Sequence, residues 1–120
     1  MKIAIPTNDK IVVCNNPRET GFFEIVSFRG EELIDVEYRD NPLKGGKSGL
    51  PFTSFETDRL VGFLSDCDVI ICGTSTNEIA KSHVGNFIKT VVTDEFLTIR
   101  AASGYNMKYL QHERNTCCSP

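Results

Sequence analysis

Asp66-Cys67-Asp68-Val69-Ile70-Ile71-Cys72-Gly73-Thr74-Ser75-Thr76-Asn77-Glu78 is an apolar run that ends abruptly in glycine and hydroxyl residues. Val69 to Cys72 suit a short strand covered on both faces, and Gly73 lets the chain turn where a side chain would collide. Ser75 and Glu78 have the capping-box spacing, so a helix is expected to start at once. A strand, a tight turn and a helix in that order aim free backbone amides at the crevice of an open α/β sheet. Gly73, Thr74, Ser75 and Thr76 are therefore the leading candidates for holding an anionic group.

On the N-terminal side, Met1 to Pro6 read as a first strand, with Thr7-Asn8-Asp9 as turn residues at its carboxyl end. Ile11 to Cys14 form a second short extended piece before the polar loop Asn15 to Gly21. Phe22 to Phe28 and Leu33 to Tyr38 form a hairpin turned at Gly30. Thr53 and Glu56 open a helix with Leu60, Val61, Phe63 and Leu64 on one face. Beyond Glu78, Ile79, Ala80, Val84, Phe87 and Ile88 share a helical face with His83. Thr90 to Thr93 make a last parallel strand, and Thr93 or Asp94 is expected to cap a final helix near Glu95, which Gly104 can interrupt. An antiparallel half followed by alternating helix and strand makes a mixed sheet covered by helices. Right-handed crossovers then set the first strand beside Val69 to Cys72, so that Thr7 and Asn8 neighbour Gly73 to Thr76.

The chain of 120 residues suits one domain, expected over residues 1–111 with a flexible tail at 112–120. With 40% hydrophobic and 24% charged residues it has the balance of a folded soluble protein. A net charge of -3 with sparse Lys44, Lys47 and Arg39 argues against nucleic acid as a partner. No apolar run reaches the roughly 18 residues of a membrane span, and Ile3-Ala4-Ile5 is too short for a signal-sequence core, so no membrane is involved and a cytoplasmic location is expected. Gly45-Gly46-Lys47-Ser48 is not a P-loop, because Asn41 stands where the upstream glycine belongs. The five cysteines form no CxxC pair, which points to reduced thiols rather than a disulfide framework. Cys67 and Cys72 read as small buried residues, and Cys117 and Cys118, in a polar tail, as candidate metal or redox thiols or equally as part of a disordered end.

Met1-Lys2-Ile3-Ala4-Ile5-Pro6-Thr7, Phe23-Glu24-Ile25-Val26, Arg39-Asp40-Asn41-Pro42 leading into a glycine-rich loop, and Cys67-Asp68-Val69-Ile70-Ile71 follow one another in an order that resembles the dinitrogenase iron-molybdenum cofactor biosynthesis family. The resemblance implies a three-layer ribonuclease H-like motif, a mixed five-stranded sheet with helices on both faces. It also implies a carrier of metal-cluster cofactor precursors, iron-sulfur or iron-molybdenum, working with a cofactor-assembly protein. Where the family has His-Phe-Gly-Arg, the chain has Asn15-Asn16-Pro17-Arg18, keeping the arginine without the histidine. Asn16 and Arg18 thus join Thr7, Asn8 and Gly73 to Thr76 as candidate cofactor-binding residues, and Cys14 and Cys72 as candidate thiolate ligands.

The first functional expectation is a small carrier for an anionic ligand or metal cluster. Alternatives are a thiol enzyme built on Cys72, a metal-dependent enzyme, and an interaction module that uses the hairpin edge. Nuclease chemistry needs carboxylates gathered around divalent metals. Asp68 begins its strand at the end opposite Asp9, so Asp9, Asp35 and Asp68 are not expected to converge.

Overall fold

The computed structural model describes residues 1–14, 20–42, 54–73 and 88–117. Lys2–Thr7 (β1), Phe22–Arg29 (β2), Glu32–Asp40 (β3), Val69–Gly73 (β4) and Lys89–Thr93 (β5) form one sheet in the order β3-β2-β1-β4-β5. Two helices accompany them, Ser54–Phe63 (α1) and Thr98–Cys117 (α2). β1 is antiparallel to β2, which is antiparallel to β3, while β1, β4 and β5 run parallel. β1 is therefore where the sheet changes character, hairpin on one side and crossover strands on the other.

Alternation along the central strands divides the core in two. Ala4, Phe23, Ile25 and Ile70 meet Leu60 of α1 and Leu64 just beyond its end on one face. Ile3, Ile5, Val26, Val69 and Ile71 meet Ala101 and Ala102 of α2 on the other. Small alanines let α2 lie close to the sheet. The result is the expected α/β architecture of a mixed five-stranded sheet between helical layers.

Gly30 has φ of 60° and, with Glu31, makes a two-residue turn between Arg29 and Glu32. Glycine fits the first position of such a turn because a Cβ disfavours positive φ. Asn106 of α2, buried, donates from Nδ2 to Gly30 O at 2.9 Å and pins the hairpin tip to the helix layer.

The final helix starts later than its capping signals suggest. Thr93 Oγ1 accepts from Glu95 N at 3.1 Å, which closes a local turn and not a helical one. Val12 pairs with Leu97, Val13 N donates to Phe96 O at 2.9 Å, and Thr98 N donates to Ile11 O at 2.9 Å. These tertiary bonds hold residues 96–98 against the second extended piece, so α2 begins at Thr98. It passes through Gly104 without interruption and continues to Cys117, including residues 112–117 of the expected tail. The helix expected after Gly73, His83 within it, the glycine-rich loop and Cys118 lie outside the described residues. No helix among the described residues is long and apolar enough to cross a membrane.

Candidate functional site

The carboxyl end of β1 is built as a braced turn. Thr7 is fully buried; its Oγ1 donates to Val12 O at 2.7 Å and accepts from Lys10 N at 3.0 Å. Asp9 Oδ1 accepts from both Ile11 N and Val12 N at 2.9 Å, and these two amides hold its carboxyl below the usual carboxylate range. Lys10 sits at φ 69°, a left-handed conformation that a lysine adopts only where its surroundings impose it. Thr7 and Asp9 thus shape the turn.

Asn8 has a different position. Its Oδ1 accepts from Gly21 N at 2.7 Å and its Nδ2 donates to Cys14 Sγ at 3.5 Å. One side chain therefore ties together the two residues that flank the polar loop. Cys14 N donates to Pro6 O at 2.8 Å, and Asn41 secures the other flank through Nδ2 to Thr20 O at 2.8 Å and N to Gly21 O at 3.1 Å. The loop carrying Asn16 and Arg18 is rooted at the carboxyl end of β1, although those two residues lie outside the described ones.

β4 pairs with β1 through Ile3 to Val69 and Ala4 to Ile70, a register that continued along the strands sets Thr7 level with Gly73. The sequence expectation that β1 lies beside and parallel to β4 is met. Thr74, Ser75 and Thr76 lie outside the described residues. Cys72 is buried, 1% exposed, and its Sγ lies 3.6 Å from Val91 O of β5. Cys14 is half-buried and contacts Asn8. The two thiols thus differ in depth and in these partners, and Cys14 is the more accessible. Cys67 is buried as well, and its thiol is pushed up to about 12 by that burial and by the nearby Asp66 carboxylate, which makes it a packing residue. Among the described residues, no three of His, Cys, Asp and Glu gather as a metal ion needs. Asp9 and Asp68 stand at opposite ends of β1, Asp68 Oδ2 accepting from Lys2 N at 2.8 Å.

Two polar assemblies were not signalled by the sequence. Glu24 is buried at 3% exposure on the α2 face, sharing hydrogen bonds with Thr98 and Tyr38, and burial raises its carboxyl above the ordinary value. Lys10 Nζ lies over the rings of Tyr38 and Phe22, 5.0 and 5.1 Å from their centroids. On the α1 face, Arg39 grips Asp66 with Nη1 and Nη2 at 2.8 and 2.7 Å, donates to Glu37 at 2.8 Å, and reaches Phe63 O at 3.3 Å. That two-pronged contact, with Lys2 Nζ 3.1 Å away, holds the Asp66 carboxyl far below the usual carboxylate range. Partners 27 residues apart leave no local pattern to read.

No family model matches the chain. Arginine–tRNA ligases from Prochlorococcus marinus strains NATL1A and NATL2A are 30% and 31% identical to it over 107 residues, 88% of the chain. The chain spans only 17% of the length of these curated relatives. A crystallised "putative dinitrogenase" from Methanocaldococcus jannaschii superposes with a TM-score of 0.62 at 17% identity, over 90% of this chain and 89% of that one. The protein PH0822 gives a TM-score of 0.60 at 19% identity, over 93% and 92%. Across nine-tenths of its length, the chain has the fold of these two proteins.

Proposed function

We propose that this protein is a binding module that holds an anionic ligand or a metal-cluster precursor where β1 and β4 end side by side, in a role related to cofactor biosynthesis. The observation that carries the reading is the double clamp of Asn8, which fixes Cys14 and Gly21 around a loop containing Arg18 at the point where the sheet changes from antiparallel to parallel. Ligands of open α/β sheets bind at such carboxyl-end switch points. In this reading the Gly73 to Thr76 amides face the negative charge, Arg18 and Asn16 add hydrogen bonds from the loop, and Cys14 supplies a thiolate. Cys72 becomes a second ligand only on displacement from the core. The shared fold with a protein described as a dinitrogenase supports the cofactor theme, and the stretch of likeness within a longer tRNA ligase supports a module that works beside other domains.

The test is anaerobic reconstitution with ferrous iron and sulfide, followed by metal analysis and native mass spectrometry. A charge-transfer absorption band is expected, with metal uptake lowered at least about tenfold by Cys14→Ser and anion affinity lowered about tenfold by Arg18→Ala, the size of one charge-assisted hydrogen bond. Absence of the band together with indifference of molybdate and phosphate binding to both substitutions would overturn the reading.

A further inference from the structure

β3 is an edge strand nine residues long, and among the described residues no strand pairs with its outer side. Asn41 N bonds to Gly21 O and Phe28 N bonds to Met1 O, which fixes the alternation of the hairpin ladder. Odd-numbered residues of β2 face β3, so Asp35, Glu37 and Arg39 pair inward across it while the backbone N–H and C=O groups of Val36, Tyr38 and Asp40 point outward. Natural edge strands are ordinarily short, covered or guarded, and this one is exposed along its whole length except for the partly covered Arg39.

The two faces of the strand differ in chemistry. Val36 and Tyr38 lie opposite Val26 and Glu24 on the α2 face, yet remain 37% and 41% exposed because α2 packs over β1 and β2. Beside them is a cavity of about 260 Å3 lined by Ile11, Leu97 and Ile99, with Lys10, Glu24 and Thr98 also in its wall. On the α1 face stand Asp35 and Glu37, with Glu32 at the start of the strand; Asp40, opposite Phe22, falls on the α2 face, and Arg39, the cation of the strand, is engaged by Asp66 and Glu37.

We propose that the outer edge of β3 takes up, as a sixth strand, an extended peptide that alternates basic and apolar residues. Main-chain bonds to Val36, Tyr38 and Asp40 anchor it. Its apolar side chains fall beside Val36 and Tyr38, one of them entering the cavity, and its basic side chains fall opposite Asp35 and Glu37. Lys10 on the apolar face repels a peptide inserted with its faces reversed. A second copy of the chain is a poor occupant: the antiparallel register that uses the whole of β3, centred on Val36, sets Asp35 against Glu37 on both sides of the centre, and like charges directly opposite destabilise a ladder. The surface is independent of the site at the ends of β1 and β4, so either proposal stands or falls alone.

The experiment uses the 120-residue protein and a blocked lysine–valine alternating peptide of about nine residues, the span of β3, with residue-resolved amide exchange as readout. Exchange at Val36, Tyr38 and Asp40 is expected to slow at least about tenfold on saturation. A glutamate–valine peptide should leave it unchanged, and Asp35→Lys should weaken the lysine–valine peptide about fivefold, the effect of one cross-strand charge pair. Equal slowing by the glutamate peptide, or no slowing at saturation, overturns the proposal. So does concentration-dependent dimerisation that protects the same amides without peptide, which would assign the edge to a second copy.

Discussion

At the scale of single residues, Glu24 is a carboxyl whose ionisation opposes folding. Burial raises its carboxyl above the ordinary value of 4.5, so the folded protein holds this proton to higher pH than the unfolded chain does. The sign follows from linkage: its favourable contribution is full below the unfolded value and is lost as pH rises through the folded one. Asp9 and Asp66, whose carboxyls are depressed, act in the opposite sense, adding stability above the unfolded value and losing it as pH falls through the folded one. The Glu24→Gln variant separates the two effects. Glutamine keeps polar groups for Thr98 and Tyr38 without a charge to bury, so this variant should be the more stable at neutral pH, with the gain over the parent shrinking as pH falls towards about 4. Urea unfolding of both proteins across that range measures the difference, and parallel pH curves would remove Glu24 as its source.

At the scale of elements, local signals and tertiary bonds divide the work of setting boundaries. β1, the hairpin and β4 were legible because β-branched runs end at turn residues, as at Gly30 and Gly73. The adjacency of β1 and β4 was legible because crossover handedness leaves few alternatives. The start of α2 was not, since Thr93 and Asp94 are good caps by type, yet bonds to Ile11 and Val13 hold Phe96 and Leu97 against the second extended piece and delay the helix to Thr98. For the same reason the clamp of Asn8 on Cys14 and Gly21 has no local signature, its partners lying 6 and 13 residues away. Asn106 shows how much one such bond carries. Its amide serves Gly30 O from a buried position, and Asn106→Ala should cost about 1 kcal/mol or somewhat more, with faster amide exchange at Gly30 and Glu31 than elsewhere in the hairpin. Unchanged exchange at the turn would show that the hairpin tip does not depend on α2.

At the scale of the whole molecule, the sheet separates two cores that must fold together. Leu60 is fully buried against α1-side residues, and Ile71 is buried among those of α2. Each, changed to alanine, should destabilise by about 3 kcal/mol. Because the two lie on opposite faces, the double variant should sum within about 0.5 kcal/mol while keeping one cooperative transition in guanidinium. Two separated transitions would instead make the layers independent units. At the end of β1 the double grip of Asn8 has an evolutionary consequence. By tying Cys14 and Gly21, which stand on either side of residues 15–19, to the end of β1, it leaves the sequence of that stretch free to drift while the hydrogen bonds that hold the scaffold stay the same.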